Sequence, residues 1–526
     1  MGTATVPGAP VVPNKWLVTA AISLGTLMGT IDISIVNVAL PNVQASFGVA
    51  VTEAAWISTA YLVALVIVLP LTGWLGATFG RKRVYQTGLV VFTGASVLAG
   101  VAPSLPALLA ARALQGLGAG VLGPMEQSIL RETFPPQEQG LATGLYGMIL
   151  LVGPTVGPLL GGWITDSYTW RWIFFINFPV GILASAMVAL IIREAPRLGT
   201  RRTGFDFVGV GLMAAGLSSL VVVLEQGNRW DWFDSPLVWG LTLTAVSGLL
   251  LFVVWELVGT EKPAVDLRIL GDRAFTAAWV SVGIVGFGLF SSLLLASLFL
   301  QQALGYTALQ AGLKFFPRGL VSMPMSPIGG IVAGLLGPRF TVGPGLFLAA
   351  GAMFLMSRWT LDAGPAQILT PMLVFGFAFP LLIVPLFSSA LTSVERSKAI
   401  GAAGLLNLIL QVGGSFGTAV IATMLERGTT LFHARLVEQA RPDHPAWAQA
   451  ARQVTALMMR GGSDATSGQQ QALAVLARII TGQAAVLSFE HAFQVIALLF
   501  LALLLAMPFL PGKSQPASGE TASIDL

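Results

Sequence analysis

The sequence is dominated by apolar runs that are long enough to cross a lipid bilayer, and no other feature restricts its fold so strongly. A bilayer-crossing helix needs about 20 mainly apolar residues, and fourteen candidate runs lie between Trp16 and Leu510. Only 10% of the residues are charged, whereas a soluble protein carries about 25%. The sequence therefore predicts an all-α integral membrane protein with 14 transmembrane helices.

Lysine and arginine are distributed unevenly between the two ends of these runs. With a cytoplasmic N-terminus, the inner segments hold 16 of them and the short outer loops hold four. Cytoplasmic loops of membrane proteins carry the excess of positive charge. We therefore predict a multi-pass membrane protein with both termini cytoplasmic.

The runs divide along the chain into groups of six, two and six, separated by basic segments. A polar stretch between the last two runs is predicted to form an extracytoplasmic pair of amphipathic helices, which could cap the bundle or dock a partner. The expected units are a cytoplasmic tail (1–15), a six-helix half (16–192), a basic linker with two extra helices and a cytoplasmic loop (193–273), a second six-helix half (274–511) that includes the helical loop (425–488), and a cytoplasmic tail (512–526).

A glycine- and proline-rich stretch, GMILLVGPTVGPLLGG, occupies Gly147–Gly162 in the fifth run. Three of its glycines recur every fourth residue and share one helix face, which lets a neighbouring backbone approach closely. Two prolines each remove a backbone donor, which kinks or loosens the helix at a defined depth. Generic close packing is the alternative interpretation. The residues of this motif are Gly153, Pro154, Gly157, Pro158, Gly161 and Gly162.

Two ionisable residues in different runs are candidates for a proton-coupling pair. Asp32 lies in the first run and Arg112 in the fourth, each about 10–14 Å from the outer helix end at 1.5 Å per residue. Intramembrane charges are costly and indicate function by default. Burial favours the neutral acid and a nearby arginine favours the carboxylate, so a change in their separation would change proton affinity. A static ion pair that fixes helix packing is the alternative.

Three further charged residues within the runs are candidates for a functional role. Glu126, toward the inner end of the fourth run, could relay protons to the cytoplasm or play a structural role. Lys314 and Arg318, one turn apart in the tenth run, could meet an anionic group in a central cavity. They could equally reach the outer membrane interface.

A glycine-rich segment with three cations, Gly73–Arg83, joins the second and third runs. Its glycines permit a tight turn, and its cations can bind helix C-terminal carbonyls or acidic groups on the other half. A gating role and a role in setting membrane orientation are both open. The candidate gating residues are Gly73, Gly76, Gly80, Arg81, Lys82 and Arg83.

A substrate surface in such a bundle is expected to be apolar and aromatic with few polar groups. A stripe of Phe and Met can equally face lipid or a neighbouring helix. The candidates are Phe287, Phe290, Phe315, Phe316, Met323, Met325, Asn407 and Gln411.

Several function classes are excluded by what the sequence lacks. It has no cysteine and only three histidines, so a metal site or a thiol nucleophile is not expected. It has no Walker glycine loop, so ATP is not the energy source. We expect no enzymatic activity, no cofactor and no nucleic-acid partner, with a proton gradient as the source of energy.

Five segments together resemble the EmrB/QacA-type family, the fourteen-span drug:proton antiporters of the major facilitator superfamily. The loop after the second run departs from the superfamily pattern, because Ala77 and Thr78 stand where Asp-Arg is usual. For the segment in the sixth run, Trp170–Gly181, anchoring at the membrane interface is the favoured role. The resembling segments are Gly29–Pro41, Gly73–Arg83, Arg112–Gly118, Gly157–Gly162 and Trp170–Gly181.

This resemblance implies a major facilitator fold of two six-helix halves plus two extra central helices, working by alternating access. It implies proton-driven multidrug efflux of small amphipathic substrates, by a protein in the lipid bilayer of the plasma membrane, the inner membrane of a bacterium. An EmrA-type periplasmic adaptor and an outer-membrane channel are possible partners. The alternatives are an exporter of a specific metabolite, peptide or siderophore, and a non-transporting membrane sensor or scaffold.

Overall fold

The computed structural model describes residues 14–192, 204–395, 398–440, 445–461 and 464–510. Within these residues every regular element is a helix. Residues 1–13 of the predicted N-terminal tail, linker residues 193–203 and the predicted C-terminal tail lie outside the described residues.

The long helices follow the apolar runs in order. Glycines with positive φ end α1 at Gly48 (65°) and join α2 to α3 at Gly80 (91°), which confirms the predicted tight turn because such a φ disfavours other residues. The helices are α1 (Lys15–Phe47), α2 (Trp56–Phe79), α3 (Arg81–Gly100), α4 (Leu105–Thr133), α5 (Gln139–Ser167), α6 (Trp172–Ile191), α7 (Phe207–Gln226), α8 (Pro236–Val254), α9 (Arg273–Leu298), α10 (Ala308–Leu336), α11 (Pro338–Met356), α12 (Pro365–Ser393), α13 (Ala399–Gln439) and α14 (Ala465–Leu503).

Thirteen of these helices are long and apolar enough to cross a membrane by length and composition. The remaining one, α3, lies on the third predicted run and has 20 residues. Polar residues such as Gln86 and Ser96 make it less apolar than the others. It packs along α4, where Gly118 lies against the Phe92 backbone, so a helix of the predicted length is present there.

Two bundles of six helices, α1–α6 and α9–α14, pack against each other along two seams. Helix α5 lies against α10 in one seam, and α2 lies against α13 in the other. The extra helix α7 lies at the second seam, and α8 packs on α7. Gln226 of α7 donates to Thr59 of α2 (2.8 Å), and Ser415 of α13 donates to Glu225 of α7 (2.9 Å). The extra pair is therefore central in sequence but peripheral in space.

One end of the bundle, which we call the basic face, carries the loop between α2 and α3. There Lys15 pairs with Glu138 at 2.5 Å, so α1 and α5 begin at the same end. The two halves touch near this face through glycines. A Cβ on Gly73 of α2 would lie 2.9 Å from the Cα of Gly401 of α13, and Gly140 of α5 meets Gly330 of α10. The halves are therefore in contact at the basic face.

A small cavity lies between the halves near this face. It has a volume of about 20 Å³ and is lined by residues of α4, α5 and α12, including Gln127, Tyr146 and Ser388. That volume admits about one water molecule. The described conformation therefore offers no passage for an organic molecule at this point.

Helices α13 and α14 extend well beyond the predicted spans. The prediction ended the thirteenth run at Met424 and began the fourteenth at Phe489, whereas the helices run to Gln439 and from Ala465. A span needs about 20 residues, and these helices have 41 and 39. The predicted helical loop is correct in type, but most of it continues the two spanning helices, because no proline breaks them at the membrane surface.

The glycine stripe of α5 packs against α1, as the fourth-residue spacing predicts. A Cβ on Gly153 would overlap the carbonyl group of Thr30, and one on Gly157 would lie 2.5 Å from the Cβ of Ser34. Both prolines of the motif lie inside a helix that runs unbroken from Gln139 to Ser167.

We predict that Gly153→Ala lowers the thermal stability of the purified protein, because the added methyl group must push α1 and α5 apart. Overpacking of this kind costs about 1–3 kcal/mol. The matched control is Gly94→Ala in α3, where an added Cβ meets nothing within 4 Å, so its effect is expected to be neutral or slightly stabilising. Thermal unfolding in detergent measures both, and equal melting temperatures for the two variants would contradict the packing argument.

Candidate functional site

The predicted partners Asp32 and Arg112 are in contact in the core of the first half. Arg112 Nη1 donates to Asp32 Oδ2, and the two side chains are 1% and 0% exposed. Arg112 Nε donates to the Ile57 carbonyl of α2 at 3.2 Å. A buried ion pair needs such additional hydrogen bonds, because desolvation penalises both charges.

The other carboxylate oxygen of Asp32 is held by two amide side chains. Gln115 Nε2 donates to Asp32 Oδ1 at 2.8 Å, and Asn177 Nδ2 of α6 donates to the same atom at 3.3 Å. Ser96 Oγ of α3 accepts from both Gln115 (3.2 Å) and Asn177 (3.0 Å). Helices α1, α2, α3, α4 and α6 thus meet around one carboxylate.

The sequence interpretation missed part of this network. Asn177 lies in the Trp170–Gly181 segment, to which it gave an anchoring role, and Ser96 was not singled out. The available signal was a polar side chain inside an apolar run, at a depth similar to that of Asp32. Ser96 also donates to the Phe174 carbonyl at 2.9 Å, which fixes α6 against α3.

Aromatic rings exclude water from the pair. The Arg112 guanidinium carbon lies 4.3 Å from the centroid of the Tyr61 ring and 5.8 Å from that of Phe174. Both rings are buried. A guanidinium over an aromatic face is stabilised by the ring quadrupole. Charge at this position is therefore balanced by the carboxylate and the rings instead of by solvent.

Helix α5 connects this cluster to the second half. Its glycine face contacts Thr30 and Ser34, two residues before and two after Asp32 on α1. Its other face meets α10, where a Cβ on Gly312 would lie 3.3 Å from Pro158. Movement of α10 relative to the first half would therefore press on the α1 segment that carries the carboxylate. Assignment of the motif residues to coupling stays a prediction.

Glu126 is buried but lies apart from the pair. It is 14 residues from Arg112 along α4, about 21 Å at 1.5 Å per residue. Ser23 of α1 donates to Glu126 Oε1 at 3.2 Å, and Oε2 has no hydrogen-bond partner among the described residues. A proton relay between Glu126 and Asp32 would need intermediate groups, so its relay role stays a prediction.

Two cations of the predicted gating segment contact other helices of their own half. Arg81 pairs with Glu132 at the end of α4. Lys82 Nζ donates to the Ala189 carbonyl in the last turn of α6 at 2.8 Å, which is the predicted helix C-terminal contact. Arg83 is exposed. The glycines of the segment contact the other half, at Gly73 and at Gly76, where a Cβ would lie 2.8 Å from Ile400 Cδ1.

Some of the predicted substrate residues pack against other helices of the second half, and others lie at the seams between the halves. The Phe287 ring lies near the Phe416 ring of α13, with 6.2 Å between the ring centroids. Phe290 lies against Gly414 of the same helix. Asn407 accepts a hydrogen bond from Tyr146 of α5 at 3.0 Å and so joins the halves. Phe315 is buried, and Phe316, Met323, Met325 and Gln411 are half-buried. Substrate contact by these residues stays a prediction.

Comparison with known proteins agrees with this architecture. The sequence model of the Major Facilitator Superfamily matches residues 22–418. The multidrug export protein EmrB of Escherichia coli K12 is 34% identical over 490 residues, which cover 93% of this chain and 94% of that protein. The chain is an EmrB-type member of the major facilitator superfamily.

Other relatives support this assignment. The fatty acid resistance protein FarB of Neisseria gonorrhoeae is 32% identical over 93% of this chain and 94% of that protein. Among solved structures, the human organic anion transporter MFSD10 is similar with a TM-score of 0.62 at 16% identity, covering 94% of this chain and all of that one. At that identity the structural similarity shows the fold alone.

We predict that Asp32→Asn and Arg112→Gln each destabilise the protein by about 3–5 kcal/mol, because each leaves a buried charge unpaired. The double variant should lose less than the sum of the two single variants, since it removes both charges. Thermal unfolding in detergent measures all three. Asp362→Asn is the control, because Asp362 is exposed and such surface changes cost at most about 0.5 kcal/mol. Additive effects in the double variant would contradict a coupled pair.

Proposed function

We propose that this protein is a proton-driven exporter of amphipathic compounds, a drug:proton antiporter that works by alternating access. The observation that carries the proposal is the fully buried Asp32–Arg112 pair, on which five helices converge. The names of the relatives support it, since EmrB is a multidrug export protein and FarB a fatty acid resistance protein.

Protonation of Asp32 is the step through which a proton gradient would act. The neutral acid no longer attracts Arg112 as a carboxylate does, so the guanidinium loses its ionic partner and α1 and α4 are free to shift. Helix α5 would transmit this shift to α10, because its two faces contact α1 and α10. A proton can bias the cycle only if the two conformations differ in affinity for it, and the separation of this pair supplies that difference.

We assign the basic face to the cytoplasm, on the distribution of Lys and Arg. On that assignment the described conformation is closed toward the cytoplasm, with contacts at Gly73–Gly401 and Gly140–Gly330. At these two points backbone lies against backbone, so the halves can separate there without unpacking side chains. Opening would also break the hydrogen bond that Arg131 Nη2 donates to the Val394 carbonyl at 3.2 Å.

Two alternative functions predict different results in the same measurement of proton movement. An exporter of a specific metabolite, peptide or siderophore would show coupled proton movement with one compound class only. A non-transporting sensor or scaffold would show none, and it gives no reason for a hydrogen-bonded ion pair at 0–1% exposure.

We predict that purified protein in proteoliposomes, with an imposed proton gradient and an internal pH dye, moves protons when amphipathic compounds are added. Asp32→Asn should abolish this substrate-dependent flux, because the amide cannot exchange a proton at this position. Asp362→Asn makes the same chemical change at an exposed residue and should retain the flux. Equal flux in Asp32→Asn and wild type would remove Asp32 as the coupling site.

We also propose that the far ends of α13 and α14 dock an EmrA-type adaptor leading to an outer-membrane channel. At the boundary of the predicted spans the two helices are paired, with Ser488 donating to the Leu425 carbonyl at 2.9 Å. A further helix, Pro445–Arg460, packs on α14. Apolar side chains on this extension are exposed, among them Leu457 (59%) and Ile479 (48%). Exposed apolar groups of this kind indicate an interaction surface.

We predict that replacing 441–463 with a short Gly-Ser linker abolishes co-purification with an EmrA-type adaptor from the same genome. Substrate-dependent proton flux in proteoliposomes should persist in that variant, because the linked helices still pair through Ser488. Retained co-purification would place the adaptor elsewhere. Loss of flux together with co-purification would assign the segment to the fold instead of to docking.

A further inference from the structure

Among the described residues two arginines are buried, one in each half, and only one has a carboxylate partner. Arg112 pairs with Asp32. Arg318 of α10 is 6% exposed, and Nη1 of its guanidinium has no hydrogen-bond partner in the described part of the chain. Its observed contact is with a ring, since the guanidinium carbon lies 4.1 Å from the Phe375 centroid. The second half therefore holds a buried cation without an anion.

Arg318 lies where α10 meets both α12 and the other half. Its backbone carbonyl approaches Gly376 of α12, and Ser322, one turn on, donates to the Gly376 carbonyl at 2.8 Å. The neighbouring residue on the other side, Gly319, abuts Thr155 of α5. The guanidinium is thus close to the α5–α10 seam, along which the halves must move if access alternates.

The chemistry of the position favours an anion with two oxygens. A guanidinium presents a planar fork of donors that matches a carboxylate in a bidentate geometry. Leaving such a group buried and unpaired is unfavourable, and stacking on Phe375 offsets only part of that cost. The rings of Phe375 and the nearby Phe315, which is 7% exposed, supply an apolar wall for the rest of a ligand.

A second cation lies one turn from Arg318, toward the end opposite the basic face. Lys314 is half-buried, and its Nζ lies 5.6 Å from the centroid of the Tyr306 ring. The two cations lie one turn apart on the same face of α10, one half-buried and the other buried. An anion whose path follows this face would meet compensating charge at both depths.

We propose that Arg318 binds the carboxylate of amphipathic organic anions, with Lys314 as an outer station on the same path. The inference rests on the proposed export function and names the substrate class that the site takes. In the absence of ligand the guanidinium is held on Phe375, and a bound carboxylate supplies the partner that the described residues do not.

Binding tests this inference without requiring transport. Full-length protein in nanodiscs of zwitterionic lipid is dialysed against pyrenebutyrate, pyrenebutanol or pyrenebutyl-trimethylammonium, and binding to empty nanodiscs is subtracted. The wild type should bind the carboxylate most tightly. Arg318→Gln should weaken pyrenebutyrate binding at least tenfold, because a charge-assisted hydrogen-bonded pair is lost. Its affinity for the alcohol should change less than twofold.

The control variant is Arg358→Gln. Arg358 also lies over a ring, Phe354 at 5.0 Å, but it is exposed, so pyrenebutyrate binding should be unchanged. Arg318→Lys should retain part of the affinity, because it keeps the charge but loses the fork. Retained binding of the alcohol by Arg318→Gln shows that the variant is folded.

Three results would overturn the inference: equal pyrenebutyrate affinity in Arg318→Gln and wild type, equal loss with all three compounds, or no preference of the wild type for the carboxylate. The proposed export function fails separately. Carboxylate binding that depends on Arg318, without proton flux for any compound in proteoliposomes, would uphold this site and refute antiport.

Discussion

A carboxylate and a guanidinium without access to water must satisfy each other, and this requirement organises the first half of the protein. Asp32 and Arg112 are 0% and 1% exposed, so every remaining donor and acceptor around them has to come from a neighbouring helix. Gln115, Asn177 and the Ile57 carbonyl supply these groups. The cluster is therefore both a source of packing specificity and the place where a proton changes the balance of forces most.

The seams between the halves differ from this charged cluster, because their closest contacts are made by small residues and backbone. Gly73 meets Gly401 in one seam, and Gly140 meets Gly330 in the other. Such glycine contacts allow the backbones to approach closely, and a few hydrogen bonds, such as that from Tyr146 to Asn407, also join the halves. Helix α5 belongs to both environments, since one face contacts α1 beside Asp32 and the other contacts α10. A rigid cluster and a separable seam are thus joined by one helix.

The two halves differ in how they balance buried positive charge. In the first half the chain supplies its own anion, and in the second half Arg318 has a phenylalanine ring but no carboxylate among the described residues. An internal partner suits a group that must respond to protons. A missing partner suits a group that must respond to a ligand. In the proposed cycle of alternating access, this asymmetry would give the first half the coupling role and the second half the role of substrate binding.

The sequence by itself determined the features that depend on local spacing. The length of the apolar runs located the helices, and their depth along α1 and α4 placed Asp32 and Arg112 at the same level. The fourth-residue glycines of α5 predicted a close backbone neighbour. These inferences succeed because helix rise and periodicity are fixed by local geometry.

Only the tertiary structure decided which groups meet across long separations in the chain. It brought Asn177 and Ser96 to the surroundings of Asp32 and paired Arg81 with Glu132 of the same half. It also extended α13 and α14 beyond the membrane-spanning length, and set α7 and α8 at the edge of the bundle. Helix orientation and lateral order depend on packing among all the helices at once, which no single segment of the sequence encodes.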